Sequence, residues 1–345
     1  MELQINTTAS HGDEYKGELI ANFSSNVWLE GNYDGLYAHL HSKISLIHRY
    51  PEEHNTQLKS DLGAWLNINP ENLLLTNGSI EGIYLIAQAY RNNKSLILQP
   101  TFSEYEKACK INEHEIIFCA NHDLEDNIDK HQPNLVWICS PNNPDGYSFE
   151  LTFLENLIEK FSNIVFIFDI SFKEYCLEKQ PNIDIINKYS NTILVYSFTK
   201  RYGIPGLRMG YIHSNSSTIS ILSKYCIPWA LNTFAVEALK YIRLNLNDQF
   251  DIFEWLQRKE KLIKSINELD AFECMDSATP FFLVRLKKGK STDLKHFLLN
   301  KGILIRDASG FFSNNNQYIR LLTLSNDKNQ LLINELYKWT QQLAV

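Results

Sequence analysis

The feature that most restricts the fold of this chain is an alternation. A short, uninterrupted apolar run is followed by a segment whose apolar residues recur every three to four positions. The runs are LLLT (73–76), SLIL (95–98), EIIF (115–118), LVWIC (135–139), IVFIFD (164–169), TILVYS (192–197) and MGYIH (209–213). Between them, Ile80, Ile83, Tyr84, Ala87 and Tyr90 mark a helix over 79–91, and 151–161 reads as another, opened by Thr152 and Glu155 at capping-box spacing. Apolar runs that do not alternate with polar residues belong to strands covered on both faces. A largely parallel sheet between helical layers follows, an α/β unit.

After Trp229 the texture changes. A long amphipathic helical pattern occupies 232–268, carried by Phe234, Ala238, Tyr241 and Ile242. It is followed by FFLVRL, a helix from Asp293 closed by Gly302, then ILIRD, YIRLLTL and a terminal helix over 328–343. This predicts a smaller α+β unit. We expect residues 1–45 to form an arm and part of the small domain, 46–235 the large domain and 236–345 the small C-terminal domain. A length of 345 residues suits two units.

Composition narrows the function. The apolar runs are about five residues long, far short of the roughly 18 that a membrane helix needs. The first fifteen residues lack the basic and apolar regions of an export signal. With 33 basic against 40 acidic side chains, the formal charge is −7, which argues against a general nucleic-acid binder. The six cysteines are scattered, form no C-x-x-C pair and read as reduced thiols, so a cytoplasmic protein is expected. Small-molecule chemistry is what remains.

Three turn-rich segments follow apolar runs: TNGSIE (76–81), SPNNPDG (140–146) and SFTKRYGIPGLR (197–208). In an open α/β sheet, ligands bind beyond the carboxyl ends of the parallel strands, so loops rich in Asn, Ser, Lys and Arg there are candidate site walls. Asn77-Gly78-Ser79 also opens a helix, where unpaired N–H groups and the positive dipole end suit a phosphate. The first two alone read as ordinary turns; the third is more specific, because it sets Ser, Thr, Lys and Arg within a dozen residues after a strand, with two glycines that permit close backbone approach. No G-x-S-x-G elbow, P-loop or H-E-x-x-H is present, and His39-Leu-His41 and His114-Glu115 read as exposed polar positions.

Taken together with Asp169 at the end of IVFIFD, these segments resemble the fold-type I pyridoxal-phosphate enzymes, in the branch of class I/II aminotransferases. The resemblance spans the whole chain and implies an aspartate aminotransferase-like fold, pyridoxal 5'-phosphate as cofactor and a homodimer with shared active sites. It implies Lys200 as the lysine that carries the cofactor as a Schiff base and moves protons at the substrate Cα, and Asp169 as the partner of the pyridine nitrogen. It implies Asn143 as ligand of the ring hydroxyl and Phe102 as the aromatic stacked on the ring. The phosphate cradle would comprise Gly78, Ser79, Ile80, Ser197, Thr199 and Arg208, with Tyr50 reaching the cofactor of the neighbouring subunit. One departure stands out. Phe172 replaces the family's usual tyrosine, which would leave Asn143 as the main partner of the ring oxygen and raise the pKa of the lysine.

Arg306 and Arg320 match positions where relatives hold anionic groups of the substrate. The resemblance points to two subfamilies, histidinol-phosphate aminotransferases and the L-threonine O-3-phosphate decarboxylases of cobamide synthesis. His11-Gly-Asp13, Asn22-Phe-Ser-Ser-Asn26, Phe172, PWALN (228–232) and IRDAS (305–309) resemble the decarboxylases, whereas SPNNPDG, TNGSIEGI and RYP are common to both. The expectation is a decarboxylase that holds a small anionic amino-acid phosphate through Arg320, Arg306, His11, Asn26 and Asn143, without a metal. An aminotransferase is the alternative. A catalytically silent binding protein is a third reading, which the joint presence of Lys200, Asp169, Asn143 and Arg208 disfavours.

Overall fold

The computed structural model describes residues 15, 17–245, 249–312 and 315–343. The chain opens with β1 (Ala21–Asn22), α1 (Asp34–Ser42) and α2 (Thr56–Leu66). It continues through β2 (Leu73–Thr76), α3 (Gly78–Ala89), β3 (Lys94–Leu98), α4 (Glu104–Ile111), β4 (Glu115–Cys119), α5 (Leu124–His131) and β5 (Leu135–Cys139). Then come α6 (Leu151–Lys160), β6 (Val165–Asp169), α7 (Ile183–Lys188), β7 (Thr192–Ser197), α8 (Phe198–Arg201), β8 (Gly210–His213), α9 (Ser216–Ser223) and α10 (Thr233–Asn245). The last part comprises α11 (Ile252–Asn267), β9 (Phe272–Cys274), β10 (Phe281–Leu286), α12 (Ser291–Leu299), β11 (Ile303–Leu304), β12 (Arg306–Asp307), β13 (Tyr318–Leu322) and α13 (Asn326–Gln342).

Seven strands form one sheet in the order β2-β8-β7-β6-β5-β3-β4. β7, β6, β5, β3 and β4 pair in parallel, whereas β8 runs antiparallel to both β7 and β2. The uninterrupted apolar runs are explained by the two faces. Leu96, Val136, Ile138, Phe166, Phe168 and Leu194 point into one core with α2, α6, α7 and α10. Their neighbours Ile97, Leu135, Trp137, Ile167, Ile193 and Val195 point into the other with α3, α4 and α9. The two-residue period therefore buries successive side chains of the central strands on alternate faces, while the edge strand β4 leaves Glu115 and Phe118 exposed. A second, antiparallel sheet, β12-β13-β10-β9, is backed by α11, α12 and α13 around Phe272, Phe282, Leu294, Ile319 and Leu336.

The segment before α1 ties the two sheets together. Ala21 and Asn22 pair with Ile303 and Leu304 of β11, and the backbone N–H of Trp28 donates to the Lys200 carbonyl at 3.1 Å. Three expectations need correction. The helix over 151–160 is not capped by Thr152; its N-cap is Glu150, without a side-chain cap, since Thr152 already lies in the first turn. The pattern over 232–268 is two helices, because Asp251 caps a fresh start at α11 by accepting from the Glu254 N–H at 3.0 Å. His114 is buried, not exposed, bonded to Ser95 Oγ (2.8 Å) and the Ala87 carbonyl (2.9 Å), and half-buried His39 lies 3.3 Å from Glu237.

Burial in β8 pushes the His213 imidazole from its ordinary 6.5 down to about 4, with the Lys173 charge adding to the effect. The folded protein therefore keeps His213 neutral where the unfolded chain takes up a proton. Stability is complete above pH 6.5 and declines as the pH falls toward 4, by roughly 3 kcal/mol from this group. Urea unfolding of His213→Gln across that window is expected to show a smaller loss than the wild type; equal slopes would refute the assignment.

Candidate active site

Parallel strands place their carboxyl ends on one edge of the sheet, and the polar segments gather there. β6 ends in Asp169, which is 5% exposed. Its Oδ2 accepts from the Tyr105 hydroxyl at 2.8 Å and its Oδ1 from the Ser171 N–H at 2.9 Å. Burial raises the pKa of this carboxyl; the two hydrogen bonds and the charge of Lys200 oppose that shift. A cation placed against Asp169 would complete what these groups begin. Tyr105, three residues beyond Phe102 on α4, was not among the sequence candidates. Phe102 lies just before the N-cap of α4, and the two rings meet edge-on with centroids 5.8 Å apart.

A second cluster forms where β8 inserts between β2 and β7. Gly210 is in register with Thr76 on one side and Ser197 on the other. A Cβ at Gly210 would lie 2.5 Å from the Tyr196 carbonyl oxygen and 2.8 Å from the backbone of Gly78 and Ser79, so only glycine lets the three segments meet. Gly78 opens α3 at φ +80°, and a Cβ there would lie 2.4 Å from Arg208 Nη2. The Asn77 side chain does not cap α3, so the N–H groups around Ser79 and Ile80 open a helix of 12 residues without a capping oxygen from that side chain. Ser197 and Thr199 are buried and linked hydroxyl to hydroxyl at 2.7 Å. Arg208 donates to the Pro205 carbonyl at 3.1 Å, and its burial disfavours the guanidinium charge. These groups form a cradle that suits an anion.

Lys200 sits on α8, a single turn of four residues. Its Nζ lies 5.7 Å from the ring centroid of Phe172, which is itself buried against Phe281 at 4.9 Å. The Lys200 carbonyl also accepts from the hydroxyl of Tyr175 at 2.9 Å. Across from it, Arg320 on β13 is 6% exposed. It donates to Asn143 Oδ1, and through Nη2 to the Ser24 carbonyl at 2.6 Å. Arg306 stands directly opposite Arg320 in the β12–β13 register. Burial first, and the charge of Arg306 second, pull the Arg320 guanidinium down to about 9. Arg320 Nε and both side-chain polar atoms of Asn26 are buried without a hydrogen-bond partner. Orphaned donors around a disfavoured cation form a setting that a bound anion would relieve.

One sequence candidate lies outside this assembly, and another lies outside the described residues. Tyr50 is 84% exposed and lies tilted on Trp229 with centroids 5.2 Å apart. His11 falls outside the described residues. Asn142, beside Asn143, braces the loop instead: it accepts from Thr101 Oγ1 at 2.7 Å and donates to the Pro100 carbonyl at 2.8 Å. Among the described residues no group of His, Cys, Asp and Glu could hold a metal, and all six cysteines are free thiols.

The donor set fits pyridoxal phosphate at both ends. A buried carboxylate that gains from a cation faces the ring-nitrogen role, and a cradle of backbone N–H groups, two hydroxyls and Arg208 matches a phosphate. Comparison with known proteins agrees. The profile of a family described as "Aminotransferase class I and II" matches residues 19–336. The crystal structure of L-threonine-O-3-phosphate decarboxylase from Porphyromonas gingivalis superposes with a TM-score of 0.90 at 37% identity, covering 93% of this chain and all of that one. A "Putative threonine-phosphate decarboxylase" of Caldanaerobacter subterraneus is 30% identical over 84% of this chain and 82% of its own. A histidinol-phosphate aminotransferase of Thermoanaerobacter pseudethanolicus is 31% identical over 77% and 78%.

Replacing Arg208 by Gln is expected to weaken binding of pyridoxal phosphate to the cofactor-free protein roughly 10- to 100-fold, the worth of a hydrogen bond to a charged group. Lys200→Ala is expected to keep much of that binding yet yield no adduct after borohydride reduction. Absorbance titration and intact mass read the two effects. Unchanged affinity in Arg208→Gln would remove that residue from the cradle.

Proposed function

The chain belongs to the aminotransferase class I and II family of pyridoxal-phosphate enzymes, and from that premise we propose that it decarboxylates a phosphorylated amino acid. The substrate we favour is L-threonine O-3-phosphate, which loses its carboxylate as CO₂, gains a proton at Cα and leaves an aminopropanol phosphate. The proposal includes a cytoplasmic homodimer that makes this product for cobamide synthesis. The exposed aromatic ring of Tyr50 supports a contact with a second copy.

When bound, the cofactor supplies an electron sink for the pair left at Cα. The residues of this chain govern the rest. Asp169 would stand against the cation of the ring nitrogen, and its Tyr105 and Ser171 bonds favour its ionised form against the burial that opposes it. Gly78, Ser79, Ile80, Ser197, Thr199 and Arg208 would hold the cofactor's phosphate, Asn143 would bind its ring oxygen, and Phe102 would pack on its ring. Lys200 Nζ delivers or removes the proton at Cα. By setting how the substrate lies, the residues that grip its anions would choose which bond at Cα is broken.

The observation that carries the reading is the register of Arg306 opposite Arg320, with the buried Arg320 bonded to the segment that holds Asn26. Two guanidinium groups suit the doubly charged phosphate of such a substrate. A grip on the side-chain phosphate would leave the carboxylate unclamped and free to depart as CO₂. The aminotransferase alternative draws on the 31% identical relative and on loops that both subfamilies share.

The purified holoenzyme is expected to release CO₂ from L-threonine O-3-phosphate without an added 2-oxo acid. Glutamate formed from histidinol phosphate and 2-oxoglutarate, with no CO₂ from threonine phosphate, would reverse the choice. Arg320→Lys, which cannot reproduce the bidentate fork, is expected to lower kcat/KM roughly 100-fold. Arg306→Gln is expected to raise KM for the phosphorylated substrate while leaving the weak binding of unphosphorylated threonine unaltered.

A further inference from the structure

Tyr175 entered neither the sequence reading nor the proposed reaction, yet its hydroxyl is placed at the junction of the lysine turn and the N-terminal arm. The ring is completely buried, packed edge-on against Trp255 at 5.0 Å and near Phe172 at 5.5 Å. The hydroxyl accepts from the Trp28 N–H at 3.0 Å and donates to the Lys200 carbonyl at 2.9 Å, with the Asn26 carbonyl 3.5 Å away.

The need for these bonds follows from the length of α8. A helix of four residues leaves its last carbonyls without partners of its own. The Phe198 carbonyl is reached by the Tyr202 N–H, whereas the Lys200 carbonyl is satisfied from outside, by the Trp28 N–H at 3.1 Å and the phenol of Tyr175. The neighbouring side chain makes the same connection a second time, since the Arg201 guanidinium lies 5.2 Å from the Trp28 ring and 3.9 Å from that of Phe250. The other end of the arm is fastened to the anion site. Ser24 offers its carbonyl to Arg320, Phe23 accepts from the Leu322 N–H at 2.9 Å, and the unpartnered Asn26 side chain lies between. Residues 23–28 thus run from Arg320 to Lys200, pinned at both ends.

Packing alone does not account for the hydroxyl. A phenylalanine would keep the ring contacts, and the Trp28 N–H would still have the Lys200 carbonyl. Burying a phenol is costly unless its bonds are made. We propose that Tyr175 is a positioning residue whose hydroxyl ties the arm at 24–28 to the Lys200 turn, so that an anion captured at Arg320 and Asn26 sets the placement of the lysine. This rests on the roles given above to Lys200 and Arg320, and it adds a link between them.

The test uses Tyr175→Phe, Asn26→Ala and the double variant as holoenzymes, assayed with L-threonine O-3-phosphate. Tyr175→Phe is expected to bind pyridoxal phosphate like the wild type, to lower kcat about 10-fold and to raise KM for the substrate. Combined with Asn26→Ala, the losses in kcat/KM are expected to be less than multiplicative by at least about 5-fold, because each variant breaks the same link. A fall in melting temperature with kcat and KM unchanged, or strictly multiplicative losses, would overturn the proposal. A substrate-free reading separates it from the assigned reaction. The pH midpoint of the absorption band of the bound cofactor is expected to move in Tyr175→Phe; if it stays, the link is refuted. If it moves while threonine phosphate is not decarboxylated, only the substrate assignment fails.

Discussion

The site depends first on one antiparallel strand in an otherwise parallel sheet. Because β8 runs against both neighbours, a single residue, Gly210, stands opposite the ends of β2 and β7 at once. Were β8 parallel, its far end rather than the Arg208 segment would stand between the ends of β2 and β7. The inserted strand instead delivers Arg208 into the gap, over the start of α3. The absence of a side chain at positions 78 and 210 is what allows that approach. The anion cradle is therefore a consequence of sheet register and of two missing Cβ atoms.

Around that cradle the protein keeps charges in places where burial works against them. Asp169 is pushed toward its neutral form and Arg208 and Arg320 away from their charged forms, each chiefly by loss of water. Such an arrangement is costly in an empty protein and favourable around a ligand whose charges run in the opposite sense. A molecule with a cationic ring nitrogen, a phosphate and a further anionic arm answers all three. The same reasoning explains why the buried but neutral groups nearby, Tyr105 and Tyr175, serve as hydrogen-bond donors: burial raises both phenols well above their ordinary range, so they stay protonated.

Much of this was legible in the chain. The apolar runs marked all seven strands of the large sheet, because strands covered on both faces cannot alternate, and Asp169, Lys200 and Arg208 could be placed at strand ends from their local motifs. The break between α10 and α11 was missed because both helices are amphipathic with a similar period, and the Asp251-x-x-Glu254 cap was outweighed by that continuity. Thr152 and Glu155 had the right spacing for a cap but lay two residues too far into α6. His114 was misread as exposed, because nothing local announces that Ser95 on a different strand and Ala87 on a helix converge on its two nitrogens.

Sequence by itself determined what is local: where strands and helices form, which strand ends carry a carboxylate, a lysine or a glycine, and that the chain resembles pyridoxal-phosphate enzymes. Only the tertiary structure decided what is held at a distance. The pairing of Arg306 with Arg320 comes from antiparallel register, the Tyr105 bond to Asp169 joins residues 64 positions apart, and the Tyr175 bond to Lys200 joins two loops beyond different strands. Helix and strand periods are written in neighbouring residues. Contacts between remote segments depend on how whole layers pack, and no short stretch of sequence encodes that.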